Sequence, residues 1–230
     1  MLIIFDLDDT LIDTSDFVTP RKMKDALRKM VKAGCPIADF ENALEYLLFL
    51  NKTAKSSKEA LKEFIEKRGF SHEFLTIGLR EVYESSLENL TIPPVEGVIE
   101  TLSFLKKESL LAVVTMGKLD RQMEKLKKAG IDSSFFYKIV CLEEGSKKNA
   151  YASLLEELSM QASEVIVCGD RLEVDLFPAK EIGCTTVHIK RGRGAYAENS
   201  AGSFLADFTI TRPSEVVDIF FELKRVNKED

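Results

Sequence analysis

No Lys/Arg tract, no CxxC pair and no apolar run of membrane-spanning length occurs in this chain of 230 residues. Lys and Arg number 32 against 38 Asp and Glu, a formal net charge of −6, and the two signs are interspersed rather than blocked. Without a basic stripe, nucleic acid is not expected as a partner. A small phosphorylated partner stays open, because a cation and one or two lysines can reverse the local field of an acidic protein. The four cysteines, Cys35, Cys141, Cys168 and Cys184, are widely separated. The last three lie in or beside apolar runs, so they read as small buried hydrophobes and not as a disulfide or zinc framework. No run approaches the roughly 20 apolar residues that cross a bilayer. The start, Met-Leu-Ile-Ile-Phe running straight into acids, predicts no cleaved leader. A cytoplasmic protein with no membrane partner is the expectation. The two histidines, His72 and His188, lack metal-ligand spacing: His72 reads as a helix start and His188 as packing in an apolar strand.

What is present is alternation. Residues 2–6, Leu-Ile-Ile-Phe-Asp, form a short apolar run that stops abruptly at acids, the pattern of a central strand covered on both faces. The same design recurs at 110–115, 164–170 and 184–189, with helical patterns between at 119–129, 148–158 and 172–182. Strand alternating with helix predicts a doubly wound, Rossmann-like parallel sheet of the α/β class. Its ligands belong at the carboxyl ends of the strands, where Asp6, Thr115 and Asp170 fall.

Residues 16–92 read differently. They hold helical segments near 20–32, 39–51, 57–67 and 71–88, with Ser57 as a capped start and Gly69 as a stop. Phe40, Leu47, Leu48 and Phe49 have the spacing of a helical core. Pro93-Pro94 ends the block before another helix at 97–107. The organisation expected is therefore an α/β core from 1–15 and 93–230, interrupted by an all-helical domain at 16–92. A short β run at 207–210 and a helix near 214–223 complete the core, and the last few charged residues are expected to fray.

Four signals carry chemistry. Asp6-Leu7-Asp8-Asp9-Thr10 follows the first strand, Val113-Val114-Thr115 ends another, and Lys147-Lys148 opens a helix. Cys168-Gly169-Asp170 ends a further strand, with Asp175 after it. In this order they resemble the haloacid-dehalogenase-like (HAD) phosphatases with a helical cap, from the first strand to about residue 190. The resemblance implies Asp6 as nucleophile, forming an aspartyl-phosphate, and Asp8 as general acid and then base. It implies a Mg2+ ion held by Asp6, Asp170 and the backbone carbonyl of Asp8, with Asp175 either binding metal through water or holding the lysine. Thr115 would bind a phosphoryl oxygen beside the Met116 and Gly117 N–H groups. Lys147 or Lys148 would neutralise the phosphoryl charge; Lys147 is preferred, because it leaves the longer stretch before Tyr151.

Residue chemistry agrees. Two carboxylates two residues apart on extended backbone point the same way, and clustered carboxylates call for a hard cation with oxygen preference. The function expected is a phosphatase of a small phosphorylated metabolite, as a monomer or homodimer. A phosphomutase of the same superfamily and a non-catalytic phospho-Asp switch are the alternatives, and the presence of Asp8 as acid/base speaks against the switch. Asp9 and Thr10 read as turn-shaping, Arg171 as a local ion-pair partner and the 190–194 cluster, Lys-Arg-Gly-Arg-Gly, as a solvated loop, with a place near the site attracting a phosphate as the alternative.

Overall fold

Leu2, Ile3, Ile4 and Phe5 make β1 (Leu2–Phe5), and all four side chains are buried. Each contributes roughly 1.5–3 kcal/mol by leaving water, which is why acids begin only where the strand leaves the sheet. The computed structural model describes residues 1–196 and 206–226; the charged end at 227–230, expected to fray, lies outside the described residues. Residues 1–13 join the described residues from 92 onward in one unit, and Thr14–Thr91 form another.

The first unit is built on a parallel sheet. Its further strands are β2 (Leu110–Met116), β3 (Lys138–Leu142), β4 (Val165–Gly169), β5 (Thr185–Ile189) and β6 (Phe208–Ile210). The order is β3-β2-β1-β4-β5-β6, with Phe5 level with Val113 on one side and Cys168 on the other. The order reverses between β1 and β4, and the crevice at such a reversal is where sheets of this kind bind ligands. Helices α6 (Val98–Leu105), α7 (Leu119–Lys128), α8 (Lys148–Leu158), α9 (Phe177–Lys180) and α10 (Glu215–Val226) flank the strands. On one face Leu2, Ile4, Val114 and Val167 pack with Tyr151, Leu154, Leu176 and Ala179. Ile3 and Phe5 point to the other face and are buried too.

Two elements differ from expectation. The sequence reading assigns nothing to β3, an edge strand that starts at an exposed Lys and is only half-buried thereafter. The single helix expected at 172–182 is instead a π-helical turn (Leu172–Leu176) followed by the short α9. Pro178 has no N–H with which to continue a helical ladder through this stretch.

The second unit contains α1 (Thr14–Phe17), α2 (Thr19–Lys32), α3 (Phe40–Thr53), α4 (Ser57–Lys67) and α5 (His72–Glu84). Its own core gathers Met23, Leu27, Leu47, Leu61, Phe64 and Phe74. The cap of α4 is Ser56, whose hydroxyl accepts from the Glu59 N–H at 3.1 Å; Ser57, expected in that role, instead donates to Asn51 at 3.0 Å. Of the apolar residues expected in this core, Leu47 is buried, Phe40 and Leu48 are half-buried and Phe49 is exposed. No described helix is long and apolar enough to cross a membrane.

Candidate active site

The Asp6 N–H donates to the Cys168 carbonyl at 2.9 Å, which fixes the first acid between β1 and β4. The chain then turns sharply. The N–H groups of Thr10, Leu11 and Ile12 all donate to the Leu7 carbonyl, at 3.4, 2.9 and 3.1 Å. Asp9 takes φ +60°, a left-handed conformation that Asp tolerates better than most residues. Asp8 thus lies in a tight loop, not on the strand, and strand alternation is not what orients it.

Lys147 supplies the central contact. Its Nζ donates to Asp6 Oδ1 and to Asp175 Oδ1, each at 2.6 Å. The other Asp175 oxygen accepts from the Arg171 N–H at 2.9 Å, so Asp175 holds the lysine. Half-buried Lys148 pairs with Glu181 at 3.4 Å. Burial alone would lower the Lys147 pKa, but Asp175 and Asp6 outweigh it and hold the group charged. Burial pushes the Asp6 carboxyl up to about 7; Lys147 opposes the rise, while Asp175 and Asp8 add to it.

Asp170 follows β4 and is buried, and its Oδ1 has no hydrogen-bond partner among the described residues. Burial first, then the charges of Asp175, Asp9 and Asp6, hold its carboxyl well above the ordinary range. Oxygens of Asp6, Asp170 and Asp175 lie within 4.8 Å of one another. The Asp170 carbonyl is tied down as well: His188 Nε2 donates to it at 3.0 Å. A carbonyl only accepts, so Nε2 carries the proton, and burial lowers the His188 pKa so that the ring is neutral at pH 7. His188 does more than pack.

The loop at 190–194 also belongs here and is not a solvated excursion. It forms a short 3-10 helix (Gly192–Ala195). A Cβ added at Gly194 would stand 1.8 Å from the Asp170 carbonyl oxygen, and one at Gly192 would stand 2.3 Å from the Asp9 carboxylate. Only glycine permits backbone this close. Arg191 pairs with Asp13 at 2.9 Å.

On the other side of β1, Thr115 is buried near the end of β2. Its Oγ1 accepts from Gln122 Nε2 at 2.9 Å, and the same nitrogen reaches the Met116 carbonyl at 3.0 Å and Asp8 Oδ2 at 3.2 Å. Lys125 Nζ donates to both Asp8 oxygens at 2.8 Å. Met116 and Gly117 are half-buried, but the Gly117 N–H, expected to face a phosphoryl group, donates to the Leu142 carbonyl at 2.7 Å. That bond exists because β3 lies beside β2, the strand absent from the sequence reading. Gln122 and Lys125 are the residues that sequence reasoning misses. The only available signal is their three-residue spacing on α7, which puts them on one face, and neighbouring Lys127 and Lys128 carry the same charge.

Comparison with known proteins follows from this geometry. The family described as haloacid dehalogenase-like hydrolase matches residues 3–189. A glyceraldehyde 3-phosphate phosphatase from Methanocaldococcus jannaschii is 32% identical, covering 97% of this chain and 98% of that one. One from Pyrococcus furiosus is 30% identical, covering 100% and 95%. Among solved structures, a predicted phosphoglycolate phosphatase from Haemophilus somnus superposes with a TM-score of 0.73 at 21% identity, covering 95% and 96%.

Proposed function

The chain belongs to the haloacid dehalogenase-like hydrolase family, and from that premise we propose a phosphatase of a small phosphorylated metabolite that works through an aspartyl-phosphate on Asp6. The observation that carries the reading is the Lys147 bridge, one buried ammonium 2.6 Å from both Asp6 and Asp175. It orients a carboxylate at the end of a central strand and offsets the charge of an incoming phosphoryl group.

Asp6 attacks phosphorus as the bond from phosphorus to the leaving oxygen breaks, and Asp8 gives that oxygen a proton. Asp8, now a carboxylate, takes a proton from water as the water oxygen attacks phosphorus. The bond to Asp6 breaks, inorganic phosphate leaves and the free carboxylate returns. The Thr115 hydroxyl donates a hydrogen bond to a non-bridging phosphoryl oxygen.

Magnesium fits the residues present. Beside the Asp6 carboxylate, Asp170 Oδ1 is buried with no hydrogen-bond partner among the described residues, and oxygen donors are what this cation takes. Asp6, Asp170 and the backbone carbonyl of Asp8 would hold it. When bound it supplies positive charge that offsets carboxylate repulsion and the charge on the phosphoryl oxygens.

The names of the two relatives make glyceraldehyde 3-phosphate the first candidate substrate. Selection among substrates is assigned to the helical segment 16–92. The test is hydrolysis of p-nitrophenyl phosphate and glyceraldehyde 3-phosphate by wild type and Asp6→Asn, with magnesium or with excess EDTA. Asp6→Asn should lose activity by roughly 10³-fold or more, and EDTA should abolish the wild-type reaction. Undiminished hydrolysis by Asp6→Asn would remove the nucleophile assignment, and indifference to EDTA would remove the cation site.

A further inference from the structure

Resting on the aspartyl-phosphate reading, we infer that Gln122 and Lys125 of α7 are positioning residues that set Asp8 and Thr115 in one fixed relation for breakdown of the phospho-enzyme. Gln122 is buried, and its Nε2 has three oxygens around it: Thr115 Oγ1, the Met116 carbonyl and Asp8 Oδ2. A carbonyl and a carboxylate only accept, so the NH2 end must face them, and the alternative orientation would set oxygen against oxygen. Two hydrogens serve three acceptors, with the 3.2 Å contact to Asp8 the longest. Because Thr115 accepts from this amide, its own hydroxyl proton is left to point elsewhere. Gln122 therefore sets the direction in which Thr115 can donate.

Lys125 completes the arrangement. Its Nζ stands 2.8 Å from each Asp8 oxygen, a fork that resists rotation of the carboxylate about its last bond. Asp8 lies in the loop after β1, and α7 contacts both of its carboxylate oxygens. One helix thereby joins the group that moves protons to the hydroxyl that receives the phosphoryl oxygen.

The two chemical steps depend on Asp8 unequally when the leaving group is good. A p-nitrophenolate leaves without a proton, so formation of the phospho-enzyme from p-nitrophenyl phosphate tolerates a misplaced Asp8. Its breakdown needs Asp8 as the base for water. An alkyl phosphate such as glycerol 3-phosphate needs Asp8 in both steps.

Rapid-mixing kinetics with Lys125→Met test this. With p-nitrophenyl phosphate, Lys125→Met should release a burst of p-nitrophenol near one equivalent per site, then turn over about 10²-fold more slowly than wild type. Acid quenching should trap more phospho-enzyme than in wild type. With glycerol 3-phosphate no burst should appear and turnover should fall at least as far. Lys125→Arg, which keeps a donor for both oxygens, should restore most of the loss. Gln122→Leu should raise KM for both substrates together, because Thr115 loses its orientation. Steady-state rates unchanged in Lys125→Met would overturn the inference. So would loss of burst and turnover together in both Lys125→Met and Lys125→Arg, which marks a merely structural role. If wild type itself forms no phospho-enzyme on Asp6, the parent reading fails and takes this one with it; trapped wild-type phospho-enzyme with a normal Lys125→Met sinks only the inference.

Discussion

Lys147 is a charge taken out of water, and such a charge persists only where partners offset several kcal/mol of desolvation. Two carboxylates at 2.6 Å do so here. Asp207 shows the same pairing at the surface, where it is worth less. Its carboxylate is bound by Lys180 and accepts from the Thr186 N–H at 2.9 Å and the Thr186 hydroxyl at 2.8 Å. Burial would raise its pKa, but those bonds together hold it below the ordinary value of 3.8. A depressed carboxylate stabilises the fold above its unfolded pKa and loses that contribution as pH falls through the folded one. Asp207→Asn should therefore cost less than about 1 kcal/mol near pH 7, shrinking below pH 3.8 and vanishing once Asp207 is protonated. Urea unfolding at both ends of that range measures it, and a penalty that grew on acidification would refute the assignment. The four motif positions were legible because their residue types carry their chemistry wherever a strand ends or a helix opens. Gln122 and Lys125 were not: a glutamine and one lysine among several on an exposed-looking helix mean nothing until Asp8 is known to lie beside them.

Among the elements, β4 and the π-helical turn approach each other more closely than side chains normally allow. A Cβ at Gly169 would meet the Asp175 Cβ at 2.6 Å and its Oδ2 at 2.7 Å. Gly169→Ala should thus cost about 1–3 kcal/mol and reduce turnover at least tenfold, because Asp175 moves and Lys147 with it. Thermal unfolding and kcat both left at wild-type values would show that no such contact constrains the site. Sequence pattern revealed the buried strands β1, β2, β4 and β5, whose apolar or β-branched runs suit strands covered on both faces. It failed at β3, where an edge position leaves the side chains half in water and blurs the pattern. It also gave one helix where a proline and a wide turn divide the chain, since helical spacing over eleven residues does not register a change of hydrogen-bond ladder.

At the scale of the whole molecule, each unit has a core of its own. Replacing residues 16–92 with a short linker should consequently leave magnesium-dependent hydrolysis of p-nitrophenyl phosphate measurable while weakening the discrimination among sugar phosphates. Complete loss of hydrolysis from a linker variant that keeps the far-UV circular dichroism of a folded α/β protein would show that the helical segment supplies chemistry and not only selection.

The register of β1 has a temporal consequence. Leu2 is level with Leu110 and Val165, so the strand that leads into Asp6 emerges from the ribosome long before either neighbour exists. The helical segment, whose contacts are local, can close first. Until β2 arrives, an apolar β1 stands without partners, the condition in which chaperones engage nascent chains and aggregation begins. Asp6 is therefore made well before Asp170 and Asp175, the two acids beside which it comes to stand.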